Sequence, residues 1–218
     1  MSVLSFLIPT GILGLIVWAV IGFTRGRGGD PLTLGTGAAF YARVLTIAGV
    51  LVSLTGVAVL LKVGFGYLNP AFSYYIYSAA EIGKGVAGPL PPGAGPPSAA
   101  TLIGQDLVLA ITLLVIGSAV AAGHLFLARL VGGMPGGSPA WITRGTILAL
   151  TVMTALGGLP AAAFGLYLLL TYFVLGSGAT QQPWGDPIGA AIAFVPAWIF
   201  FMSRLVGQLR NRPVPAAA

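Results

Sequence analysis

The side chains able to carry charge or bind a metal are so few in this sequence that each one is informative. Four acids and one histidine stand against ten lysines and arginines. Asp106 follows Gln105 roughly one and a half turns inside an apolar stretch. A carboxylate at that depth is costly against lipid, so it must face protein or water. Lys62, at the outer end of the preceding apolar stretch, lies at a similar depth and is its expected partner. Such a pair can tie two helices together, or it can contact a proton, an ion or a substrate. A third reading leaves Asp106 hydrated near the headgroups. The other acids fall at segment ends: Asp30 in an inner connection, Glu81 in an outer one, and Asp186 just before the last apolar run.

His124 is the single histidine. Two-histidine haem ligation within one copy is therefore excluded. A single axial histidine to haem stays open, with Met134, Met153 or Met202 as a remote partner, and a chlorophyll-type pigment could also use the one histidine. A histidine bonded to backbone or headgroup stays open too. Asp106 and His124 lie 18 residues apart, about 27 Å along one helix, too far for a dyad. Cysteine is absent, which removes disulfides, thiolate metal sites and thiol nucleophiles. There is no pair of histidines around a glutamate, no Gly-Lys phosphate loop, and no Ser–His–Asp set at a common depth. The expectation is a protein that is not an enzyme, and the sequence assigns no cofactor.

The elements that must position these groups follow from composition. Hydrophobic residues make up 57% of the 218, charged residues 6%, and mean hydropathy is +0.98. Soluble domains carry about 25% charged residues, and a soluble fold with so few would expose large apolar patches. Lipid removes that difficulty. Crossing about 30 Å of hydrocarbon takes about 20 helical residues, and backbone groups in lipid find partners only within helices or closed barrels. The apolar runs are too long for barrel strands. The sequence thus predicts an all-α integral membrane protein with five spans, at residues 3–23, 37–63, 100–130, 143–174 and 188–205, and a cytoplasmic tail at 208–218. Pro160, preceded by Gly157, predicts a kink in the fourth span, serving packing or a hinge.

Arginine placement orients the spans. With all eight arginines inside, only Lys62 and Lys84 remain outside, which sets the N-terminus outside and the C-terminus inside. No basic residue precedes the first run, so it reads as an uncleaved helix rather than a secretory signal. The +6 net charge is spread over the ends of spans without a dense basic patch, so nucleic acid is not an expected partner. The long outer loop, residues 64–99, contains Phe72, Tyr74, Tyr75 and Tyr77. Ala71, Tyr75, Ala79 and Ile82 recur at near-helical spacing, which predicts an interfacial helix over 68–82 that meets lipid or an outer partner. Trp184 in the second outer connection has the same expected role, and Trp141 marks the inner interface.

Two echoes point to a duplicated hairpin: Phe40-Tyr41-Ala42-Arg43 with Trp141-Ile142-Thr143-Arg144, and Ala128-Arg129-Leu130-Val131-Gly132 with Ser203-Arg204-Leu205-Val206-Gly207. The Phe40–Val44 opening and the Leu/Val/Gly stretch to Lys62 resemble paired-helix membrane domains of unknown function found in bacteria. That resemblance implies hairpins and a bacterial cytoplasmic (inner) membrane, and transfers no functional residue. The functional expectation is a non-catalytic membrane subunit that packs against and stabilises a larger complex. Its partners would be lipids and other membrane proteins or further copies of the chain. The alternative is a small transporter or channel using a polar site near Asp106.

Overall fold

In a computed structural model, the structure describes residues 34–69, 72, 73, 75, 98–133, 140–175 and 183–210. Four long helices carry them: α1 Leu34–Leu68, α2 Ala99–Gly132, α3 Ala140–Leu175 and α4 Gly185–Arg210. Among the described residues, four helices are long and apolar enough to cross a membrane. This corrects the five-span expectation: the described residues form an all-α membrane fold of four spanning helices. The run at 3–23 lies outside the described residues. So do Tyr74, Tyr77, most of the outer loop, and the tail from residue 211.

All four helices overrun the expected spans, α4 by five residues at its C-terminal end, so that Gln208 and Arg210 are helical. The apolar count measures hydrocarbon thickness, whereas helices continue into the headgroup layer until a breaker stops them. α4 starts where Gly185 and Pro187 meet the acidic Asp186. Proline is tolerated in a first turn, where its missing N–H has no intrahelical acceptor, and an anion suits the positive end of the helix dipole. α2 starts at Ser98, whose Oγ accepts from Thr101 N at 3.2 Å as an N-cap. α3 continues as helix through Pro160.

The chain divides into two compact units, and consecutive helices enter and leave each in alternating directions. The first unit takes α1 through Leu51, α2 from Gly117, α3 through Gly157 and α4 from Val195. Its core is Ala39, Val131 and Ile142 under Phe40 and Trp141, followed by Ile47, Ala149, Leu150 and Met153 against Phe201. A Cβ on Gly49 would stand 2.5 Å from Ala121 N and 2.7 Å from Gly117 O, so glycine there lets two helix backbones touch. Four buried threonines satisfy their hydroxyls on their own helices: Thr46 on Ala42 O, Thr146 on Ile142 O, Thr151 on Ile147 O and Thr154 on Leu150 O. The second unit takes the remaining portions, Val52–Ile116 and Gly158–Phe194, with Val63, Tyr75 and Ile103 at its core.

Large apolar side chains remain open on the helices. Val108, Val115, Phe126, Tyr167 and Phe173 are each more than 60% exposed. In water such surfaces would aggregate; in a bilayer they are the lipid-facing side.

Candidate functional site

Charge is segregated between the two units. Every described arginine (Arg43, Arg129, Arg144, Arg204, Arg210) falls in the first. The second holds Lys62, Asp106 and Asp186, the only lysine and acids among the described residues. Those three groups meet.

Lys62, near the end of α1, places Nζ 2.8 Å from Asp106 Oδ2 on α2 and 3.7 Å from Asp186 Oδ2 on α4. Side-chain exposure is only 25% for Lys62 and Asp106 and 18% for Asp186. Tyr75 Oη donates to the same Asp106 Oδ2 at 3.0 Å, and its ring centroid lies 5.1 Å from Lys62 Nζ. The ammonium therefore feels a carboxylate on each side and a ring face. Ser73 Oγ donates to the Lys62 carbonyl at 3.0 Å.

The described loop residues reach these positions by folding back. Asn69 N bonds Phe65 O at 3.0 Å and Phe72 N bonds Asn69 O at 2.9 Å, turning the chain tightly off α1. Gly66 then matters, since a Cβ there would run into the Tyr75 ring. Tyr75 is 2% exposed. The sequence reading put it at the lipid or partner surface; its hydroxyl instead finds a carboxylate inside the second unit. Burial, and then the charge of Asp106, push the phenol pKa up from its ordinary value, so Tyr75 remains a hydrogen-bond donor at neutral pH.

Phe72 and Trp184, likewise expected to face outward, pack on one another at a ring separation of 4.7 Å. Phe65 and Tyr172 close on the same indole at 5.4 and 6.3 Å. Phe65, Phe72 and Tyr172 thus gather on Trp184, which precedes Asp186 by two residues in the chain.

Two buried polar atoms in this unit lack a hydrogen-bond partner among the described residues: Asp186 Oδ1 and Trp184 Nε1. The Ser73 hydroxyl is close enough to contend for Asp186, but it carries one proton and directs it to the Lys62 carbonyl. The site has more acceptor capacity than donors. Among the described residues, one ammonium against two carboxylates leaves one formal negative charge uncompensated.

The other expected residues lie elsewhere. His124 is in the first unit, its Nδ1 2.8 Å from Val120 O and its ring edge-on to Tyr41 at 5.7 Å. That is the backbone-bonded arrangement. Gly157 is the last residue of the first unit on α3, and Pro160 lies in the second. Among the described residues, no group of three or more His, Asp or Glu could hold a metal ion.

Sequence reasoning paired Lys62 with Asp106 but left out Asp186 and the donor role of Tyr75. Asp186 was assigned to the span end by hydropathy. The signal that could have recruited it was arithmetic, because one intramembrane lysine near two acids serves both. Comparisons with protein families, curated proteins and solved structures found no match for this chain.

Proposed function

We propose that the protein is a small, non-enzymatic membrane transporter or channel for protons or small cations, with Lys62, Asp106, Asp186 and Tyr75 as its polar site. The observation that carries this reading is the surplus carboxylate: among the described residues Asp186 Oδ1 is buried without a donor, while Lys62 is committed more closely to Asp106. Burying a charged oxygen without a partner is expensive, and intramembrane acids commonly mark ion and proton paths. A proton or cation arriving at Asp186 would complete its shell. Lys62 would then pair with Asp106 alone, and loss of the ligand would return it to the shared position. A pair serving only to fasten two helices needs one carboxylate, not two.

The setting that fits is a bacterial cytoplasmic membrane, with the arginine-bearing helix ends inside. Association with other membrane proteins or further copies is compatible with this.

The test is flux through proteoliposomes containing the purified chain, driven by a pH or cation gradient, with Asp186→Asn as the variant. Flux from the intact chain and its loss in a normally folded variant support the proposal. No flux from the intact chain, combined with extraction as a stoichiometric complex with a larger membrane protein, overturns it in favour of an accessory subunit.

A further inference from the structure

The first unit contains a groove of ≈ 530 Å³ along one face of α4. It is an open, shallow depression on this one helix, lined by Trp198, Ile199, Met202 and Val206, with Arg210 at its end. The spacing is that of a single helical stripe, so the apolar part runs along the helix axis and the charge lies at the last turn. Ser203 supplies a hydroxyl in the groove, already donating to Phe200 O at 2.7 Å. Nothing among the described residues neutralises Arg210, since every described acid is in the other unit.

From this geometry we infer that the groove binds one anionic phospholipid, with an acyl chain on Ile199, Met202 and Val206 and the headgroup phosphate on Arg210. The occupant is set by charge complementarity. An apolar face suits hydrocarbon, and a cation at a helix end lies where headgroup phosphates sit. Guanidinium is also the side chain best shaped to take two phosphate oxygens. Arg204, one and a half turns earlier, is held over the Phe200 ring at 5.4 Å and leaves the phosphate to Arg210.

Gly207 provides the decisive variant. It lines the groove, and a Cβ built on it meets nothing within 4 Å. Gly207→Leu therefore adds bulk to this face of α4 at a position where the new Cβ meets no neighbour. The experiment is native mass spectrometry of the full chain, titrated with phosphatidylglycerol and with phosphatidylcholine of the same acyl chains. The intact chain is expected to prefer the anionic lipid by about fivefold, the effect of one arginine near a charged headgroup. Arg210→Gln should remove the preference while keeping zwitterionic lipid. Gly207→Leu should weaken both lipids, with unchanged helical circular dichroism. Equal affinity for the two lipids in the intact chain overturns the inference. So does undiminished binding by Gly207→Leu, which would assign the groove to another occupant such as the chain's own N-terminal apolar run.

Discussion

Replacing Lys62 with Met removes the sole described cation facing two carboxylates. Nζ stands 2.8 Å from Asp106 and 3.7 Å from Asp186, and a quarter or less of each side chain is exposed. Removing one member of a buried pair costs about 3–5 kcal/mol, because the remaining charge is left without compensation. The residual exposure lets some water in, so the lower end, about 3 kcal/mol, is expected for Lys62→Met. Asp106→Asn should cost less, about 1–2 kcal/mol. Lys62 retains Asp186, and an amide oxygen at position 106 can still accept from Tyr75. The double variant should fall short of the sum, with a coupling of about 1–3 kcal/mol for residues in one network. The assay is equilibrium unfolding of the full chain in mixed micelles, followed by tryptophan fluorescence. The reasoning fails if Lys62→Met costs no more than Asp106→Asn, or if the two effects add to within about 0.5 kcal/mol.

Tyr75→Phe deletes a donor to a charged acceptor, and should cost about 1.5–3 kcal/mol in the same assay. Because the folded-state phenol pKa is raised, its contribution is fully present below the unfolded pKa of about 10 and is lost as pH rises above it. An unfolding series from pH 7 to 11 should show that alkaline loss in the intact chain and a smaller one in Tyr75→Phe. Gly49→Ala forces a Cβ against Ala121 and Gly117 backbone atoms that cannot step aside, and should destabilise by about 1–3 kcal/mol. Gly123→Ala, where a Cβ meets nothing within 4 Å, should instead stabilise by up to about 1 kcal/mol, measured alongside it. Pro160→Ala restores the donor missing from the middle of α3 and should raise the melting temperature. If turnover uses a bend there, flux in proteoliposomes falls at the same time.

What could be read from the sequence was whatever lipid penalises strongly. A lysine and an aspartate at membrane depth have few tolerable surroundings, so Lys62 and Asp106 could be paired from depth alone. The helical class followed from the same penalty applied to the backbone. Residues at the ends of spans are penalised weakly, and there the reading went astray. Asp186 and Tyr75 could each have faced headgroup water at little cost. Only the return of the chain after Leu68, with Phe72 on Trp184 and Ser73 on the Lys62 carbonyl, turns them inward. Nothing local specifies that return, because Ala71, Tyr75, Ala79 and Ile82 match a surface helix equally well. The count of spans differs as well: four are found among the described residues, and the run at 3–23 lies outside them. The surplus carboxylate is thus a tertiary fact. Asp106, already paired with Lys62 by depth, and Asp186, which sequence leaves at a span end, become competitors for one lysine once α1, α2 and α4 bring their ends together. On the proposed reading it is that competition, and not the Lys62–Asp106 pair by itself, that would let the site exchange a cation where a simple bridge would only fasten helices.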